Sequence, residues 1–509
     1  MFERYRDGTI PGYRPVKESE GKAVPLTGHL DDDLIELRRQ VDNSEDLIIR
    51  RAVVSGIPVA LVGYENMFSL QILTQLVIRP LSTLRLEEES PAALLDWVRD
   101  EGILGVQQME CYTMGEVFYL AMSGFVLLFI DGVQQAVALG VQGYGSRSIS
   151  EPSAETNVRG SREGFVEPVR TNLAMLRRRI KSPALKFERF TVGERSVTDG
   201  FLVYMTDTVS PQMLDNVRRR LSEATLDIAL DTGYLQPFLE GKPLSFFSTV
   251  GITERPDTLA AKVSEGRIGI LLDGTPFALT VPCLFSENFQ SLDDYSHRPY
   301  YAVFIRFLKY VAFLVSMLLP GLYVAVITFH PELLPSSLLF NLAASVESTP
   351  FSLVFEALLM QFFYEIMREA GLRMPQPIGH AVSIVGGLVI GDVAVRAGLV
   401  STSMIMVVAL TAISSFVVPM LYEPTTILRL LFIVIGGYTG MLGVTLAFAA
   451  VMSNLCALSA GELPVTTPVS PFSLYGSRDL LFRLSWTKLG RRRMMVDRLP
   501  GTHSSRGTL

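Results

Sequence analysis

The chain has 509 residues, of which 49% are hydrophobic and 19% charged, with a formal net charge of −6 and a mean hydropathy of +0.32. Tyr301 to Pro471 holds 14 charged residues in 171, about 8%, while the other 338 residues hold 82, about 24%. Two materials are joined in one chain, which excludes an all-soluble enzyme, a purely intramembrane protein, and a collagen-like or mainly disordered chain.

Residues 1–28 are rich in Gly, Pro and charge without an apolar period, and are predicted to be a flexible tail. Their start, MFERYRDGTIPGYRP, lacks the apolar run of a signal peptide, so the polar half is expected on the cytoplasmic side. Residues 29–147 are predicted to form a first α/β subdomain. Asp31 to Gln40 reads as a capped helix, Ala52 to Gly63 as strand, turn, strand followed by a helical pattern through Ile78, and Gly124 to Leu139 as a hairpin turning at Asp131-Gly132. A second copy is expected over 181–299, with a strand at Ser196 to Met205, an amphipathic stretch from Pro211 to Leu226, and a hairpin turning at Asp273-Gly274. Aligning Gly56 with Gly200 gives an offset of 144, and Asp131 with Asp273 gives 142, which indicates a duplication unless the two hairpins match by chance. Both aspartates read as turn residues and not as acids for catalysis.

Residues 148–180, between the copies, are dense in charge, Pro and Gly. Glu151, Arg159, Arg162, Glu163 and Phe165 lie in a segment that is either a strap between subunits or subdomains, or a solvated linker.

Residues 300–471 are predicted to be an all-α transmembrane domain of four to six crossings, entered through Arg306 and Lys309 and left through a basic tail, 472–509, expected to be cytoplasmic. Tyr310 to Phe329 is uncharged but interrupted by Pro320-Gly321, where a kink or gate is expected. Phe351 to Glu369, Ile378 to Ala397, Ser401 to Tyr422 and Leu430 to Ala460 supply the further crossings. Gly379, Ser383, Gly387 and Gly391 form one small-residue stripe, and Gly436 and Gly440 begin another; such stripes serve packing within the chain or a seam between subunits. Asp392 and Arg396, spaced i,i+4, read as an internal ion pair. Glu356 has no basic residue at i±3 or i±4, and a carboxylate at mid-span costs about 2.5–3.5 kcal/mol, so it must face protein or water. Together with Gln361 and Glu365 it either borders an ion path or is buried against polar partners. Glu356 and Glu365, nine residues apart, point about 180° away from each other.

Phosphate-loop, dinucleotide, HExxH and GxSxG motifs are absent, and His29, His297, His330, His380 and His503 share no ligand spacing. Cys111, Cys283 and Cys456 lie far apart. No catalytic residue, metal or cofactor is therefore expected, and no basic run with interleaved aromatics invites nucleic acid.

Four stretches go further: Ser150 to Ile180, SEPSAETNVRGSREGFVEPVRTNLAMLRRRI; Ile252 to Pro282, ITERPDTLAAKVSEGRIGILLDGTPFALTVP; Ile327 to Pro335, ITFHPELLP; and Glu365 to Ser401, EIMREAGLRMPQPIGHAVSIVGGLVIGDVAVRAGLVS. They resemble the GerA-type spore germination proteins, the A subunits of nutrient germinant receptors, in order over about residues 35 to 490. One departure is Ser161 in Arg159-Gly160-Ser161-Arg162-Glu163-Gly164-Phe165, where the family usually has proline. The resemblance implies a non-enzymatic protein of the spore inner membrane. It also implies a homo-oligomeric ring whose helices form a channel releasing monovalent cations, a transporter-like B subunit that binds the nutrient, and a C-subunit lipoprotein. Within the same family, a paralogue resembling stage V sporulation protein AF is the alternative; a secondary transporter would need an internal repeat within 301–471, and none is visible.

Overall fold

A computed structural model describes residues 24–373 apart from 43, 87, 101–104, 144–151, 153, 154, 156, 158, 243 and 348, and residues 393–500 apart from 462, 484 and 486–494. The chain divides into one unit made of Met1–Leu239, Val250–Val281 and Met495–Asp497, and another made of Glu240–Thr249, Pro282–Met494 and Arg498–Leu509.

The first unit contains one fold twice. Its first copy runs α1 (Leu30–Val41), β1 (Leu47–Val54), β2 (Ile57–Tyr64), α2 (Pro91–Asp100), β3 (Gln107–Cys111), α3 (Met114–Ala121), β4 (Val126–Ile130) and β5 (Ala136–Gly140). The second repeats it as α4 (Val169–Arg179), β6 (Leu185–Val192), β7 (Thr198–Met205), α5 (Pro211–Ser222), β8 (Gly251–Thr253), α6 (Pro256–Ser264), β9 (Ile268–Leu272) and β10 (Ala278–Val281). The sheets have matching orders, β1-β2-β4-β5-β3 and β6-β7-β9-β10-β8, with antiparallel neighbours throughout. Side chains alternate across a strand, so the central β4 feeds two cores: Leu127 and Phe129 pack with Leu34 and Val117, while Val126, Leu128 and Ile130 pack with Leu94 and Val77. That double burial is why β4 and β9 read as continuous apolar runs.

The two Asp-Gly turns show how closely the copies correspond. Asp131 Oδ1 accepts the Leu30 N–H that opens α1, and Asp273 Oδ1 accepts the Val169 N–H that opens α4, each at 3.0 Å. The glycines after them, at φ 88 and 91, donate to the carbonyls of Gly28 and Glu167. Each aspartate thus satisfies a helix-start N–H left open by the helix geometry. The other alignment needs correcting: Gly200 lies within β7, paired with Phe190, and the counterpart of the Ser55-Gly56 turn is the longer loop from Gly193 to Val197.

The expected linker over 148–180 also shrinks. Phe165 N–H donates to Glu254 O in the second copy as Leu26 N–H donates to Tyr112 O in the first, and α4 is the counterpart of α1. The second copy therefore begins before Phe165, not at 181.

Arg177 of α4 joins the copies. Nε and Nη2 donate to Asp46 at 2.8 and 3.0 Å, Nη2 also to Ser44 Oγ at 3.0 Å, and Nη1 to the carbonyls of Ser182 and Leu185. The guanidinium lies against the rings of Tyr64 and Phe187. All five of its N–H groups are placed, which is what makes a buried cation tolerable. Nearby, Lys186 Nζ donates to Gln40 O at 2.9 Å, and burial pushes its ammonium down to about 8.

The second unit is helical, with α7 (Pro299–Phe329), α8 (Ser336–Glu347), α9 (Leu353–Arg373), α10 (Thr402–Val417) and α11 (Tyr422–Cys456). Among the described residues two helical stretches, Pro299–Phe329 and Pro419–Cys456, are long and apolar enough to cross a membrane, against the four to six crossings expected. Helix α8 has only 12 residues, α10 stops after 16 ahead of Pro419, and α9 carries Glu356, Glu365, Arg368, Glu369 and Arg373. A straight crossing needs about 20 apolar residues. Most of the predicted span from Ile378 to Ala397, with Gly379, Ser383, Gly387, Gly391 and Asp392, lies outside the described residues. Exposed apolar side chains such as Phe416, Leu442 and Leu446 suit a lipid-facing surface. The start of the basic tail is built into this unit: Arg306 of α7 donates to Asp294 and Asp479, and to the carbonyls of Asp479 and Leu480.

Two outcomes test this fold. Arg177→Met strands the Asp46 carboxylate and is expected to cost about 3–5 kcal/mol, read as a lower unfolding midpoint that Asp46→Asn partly restores in the double variant. For Lys186 the folded value lies below the unfolded one near 10.4, so the unfolded chain binds more protons between about pH 8 and 10 and stability rises across that window. Unfolding midpoints of Lys186→Met are expected to lack that part of the rise.

Candidate functional site

Polar side chains buried between apolar helices are the chemical feature of the second unit, and they form two groups along α9. Glu356 is fully buried, and its Oε1 accepts from Ser401 N at 2.7 Å and Ser401 Oγ at 2.6 Å. Ser401 is also the N-cap of α10, accepting from Met404 N, and Ser403 beside it meets the hydroxyl of Tyr323 on α7 at 2.7 Å. One carboxylate thus ties α9 to the start of α10. Glu356 Oε2 is buried with no hydrogen-bond donor among the described residues.

The second group centres on Arg429 of α11, whose Nε donates to Ser316 O on α7 at 2.7 Å and whose Nη1 donates to Gln361 Oε1 at 3.1 Å. Glu365 Oε1 lies 3.8 Å from the same Nη1, and Glu365 Oε2 accepts from Tyr422 Oη and from Arg368 Nε. The Arg368 guanidinium covers the Tyr422 ring, 3.6 Å from its centre. Around Arg429 opposite charges face one another inside the chain, as a low-dielectric interior favours.

Of the predicted residues, Glu356 and Glu365 do turn to different neighbours, and both neighbours are helices of the same chain. Gln361, expected as a polar companion, is the acceptor that receives Arg429. Arg429 itself escaped the sequence reading because it sits one residue before the uncharged run from Leu430 to Gly461 and looks like a flank. Its spacing of six from Glu423, with no acid at i±3 or i±4, was the available signal.

The break expected at Pro320-Gly321 is elsewhere. Helix α7 continues through Pro320, whereas α11 bends at Gly440, with φ 65 and ψ −157. Gly321 and Gly436 instead let α7 and α11 touch backbone to backbone: a Cβ on Gly436 would stand 2.4 Å from Gly321 O, and one on Gly321 2.6 Å from Phe432 O. For these glycines the packing is within the chain. Pro320 fits inside α7 because the carbonyl it deprives of a donor is used by Arg429.

Glu163 and Phe165, two of the residues expected in a strap, make their contacts within the second copy. Glu163 binds Arg178 and Arg179, Ser161 O accepts from Arg255 Nη2, and Phe165 is buried with Leu173 and Leu176. Ser161 Oγ accepts from Arg179 Nη2 at 2.9 Å. Arg159 and Arg162 are exposed, and Glu151 lies outside the described residues. Among the described residues no cluster of His, Cys, Asp or Glu is arranged to hold a metal, and burial pushes the Cys111 thiol up to about 12, which leaves it unreactive.

Gly436→Val is expected to force α7 and α11 apart and to cost about 1–3 kcal/mol, measured as a lower thermal midpoint of the detergent-solubilised chain.

The chain is similar in sequence to known proteins. The family model described as Bacillus/Clostridium GerA spore germination protein matches residues 35–495. Spore germination protein KA of Bacillus subtilis (strain 168) is 36% identical over 475 residues, covering 92% of this chain and 87% of that protein. Uncharacterized membrane protein YfkQ of the same organism is 33% identical over 506 residues, covering 98% and 96%. The crystal structure of the N-terminal domain of the A subunit of the Bacillus megaterium spore germinant receptor GerK3 is 27% identical, with a TM-score of 0.41, over 52% of this chain and 98% of that one.

Proposed function

Because the chain belongs to the Bacillus/Clostridium GerA spore germination protein family, we propose that it is the A subunit of a nutrient germinant receptor in the spore inner membrane. In this reading the helical units of several copies form a channel, and monovalent cations leave through it when a B-type, transporter-like partner senses nutrient. A C-type lipoprotein completes the receptor. The chain performs no chemistry of its own; its work is to hold a path shut and open it. The N-terminal unit and the basic tail face the cytoplasm.

The observation that carries the channel reading is Glu356. Its Oε1 is bound by Ser401, while Oε2 is a buried acceptor with no hydrogen-bond donor among the described residues, a negative end suited to a monovalent cation. Among the described residues no group of three or more His, Cys, Asp or Glu side chains is arranged to hold a metal ion, which supports passage over tight binding.

Spores carrying Glu356→Gln keep the Ser401 contact and lose the charge. Their nutrient-triggered potassium release is expected to slow at least about tenfold, the change produced by about 1.4 kcal/mol of barrier; unchanged release at normal protein abundance removes Glu356 from the path. Purification of the native complex tests the receptor assignment. A B-type subunit should co-purify, and its consistent absence would favour the paralogue that resembles stage V sporulation protein AF.

A further inference from the structure

Proline inside a helix has no N–H to give, so the carbonyl four residues earlier loses its donor. For Pro320 that carbonyl is Ser316 O, the oxygen that receives Arg429 Nε at 2.7 Å. One buried guanidinium therefore completes the hydrogen bonding of α7 from α11 while holding Gln361 and facing Glu365 on α9. Its partnership is incomplete. Arg429 Nη2 and Gln361 Nε2 are buried without acceptors among the described residues, whereas every N–H of Arg177 in the first unit is placed. Unmet donors in a low-dielectric interior raise the energy of the state that contains them, so this contact is made to hold less firmly than a saturated one.

Two further features lie on the same helix. Seven residues past Arg429, about 10 Å along the axis, Gly436 crosses Gly321 at backbone contact. Four residues later Gly440 leaves helical geometry. A cationic contact, a point of close crossing and a bend follow one another along α11, which is the layout of a catch, a pivot and a hinge.

We propose that Arg429 is a latch: its bond to the proline-freed Ser316 carbonyl holds the first half of α11 against α7 in the resting state. Releasing it lets that half swing about Gly440, past the Gly321–Gly436 crossing, to open the path. This rests on the channel reading above and names its control. Arg429 acts by position, holding helices and touching no permeant ion.

The test is potassium release from spores held without nutrient, for Arg429→Met, Pro320→Ala and the double variant, with membrane abundance followed by immunoblot. Pro320→Ala returns an N–H that competes for Ser316 O and adds a residue that favours the helix. Each single change is expected to raise nutrient-independent release at least about fivefold, as a population shift toward the open form. The double variant should exceed neither single one greatly, because both break one contact. Wild-type behaviour of both single variants at wild-type abundance overturns the latch, and so do effects that multiply in the double variant. Should Arg429→Met fail to accumulate, Pro320→Ala decides alone: quiet spores overturn the proposal, leaking spores support it. Spores lacking the chain altogether that still release potassium normally on nutrient broth would sink the channel reading, and the latch with it.

Discussion

A single hydrogen bond, Arg429 Nε to Ser316 O, is where the helical unit reconciles two demands that oppose each other. Proline in the middle of a helix leaves a carbonyl unpaired, and an arginine among apolar helices leaves five N–H groups to satisfy. Each supplies part of what the other lacks. With the bond in place α7 runs unbroken for 31 residues, and α11 and α9 are drawn to it through Gln361 and Glu365. The close passage of Gly321 and Gly436 follows on the same pair of helices, since helix backbones approach this closely only where neither side chain intervenes.

The first unit solves its own problem by repetition. Each copy caps its first helix with the aspartate of its last hairpin, so that chain ends far apart in sequence are closed on one another. The copies are then joined by Arg177, a saturated buried cation, whereas Arg429 Nη2 has no acceptor among the described residues. Saturation favours one fixed arrangement and incomplete pairing favours exchange between arrangements. On the latch proposal, the same residue type makes a fixed joint in one unit and a releasable one in the other.

The duplication was legible because the Asp-Gly hairpins are local signals with few alternatives, and because strands buried on both faces are apolar without interruption. Edge strands were not. Leu185–Val192 reads LKFERFTV, and Gln107–Cys111 is polar in composition, and each pairs with a strand on one side only, as the edge of its sheet. The α4 helix was hidden in a charged segment because Arg177, Arg178 and Arg179 look like solvated residues until Asp46 and Glu163 are brought to them from elsewhere in the chain. At the site, Glu356, Gln361 and Glu365 stood out as polar residues in apolar surroundings. Their partners did not, because Ser401 lies 45 residues from Glu356 and Arg429 lies 68 residues from Gln361. Pro320 was read as a break for the same reason: its compensation comes from another helix, and the actual bend falls on a glycine that offers no local sign of which conformation it takes.

In this chain of the GerA spore germination family a duplicated, self-capped α/β unit is accompanied by a set of helices that bury charge, Arg429 facing Glu365 and Glu356 held by Ser401. The central claim is that these helices form a gated path for monovalent cations. The measurement that tests it most directly is potassium flux through lipid vesicles containing the native complex purified from spore membranes, compared with vesicles holding a complex built with Glu356→Gln. The account predicts potassium flux with the native complex and a marked loss with the substituted one. Vesicles that stay impermeable to potassium in every condition that triggers germination, or flux that proceeds only when coupled to movement of another solute, would contradict it.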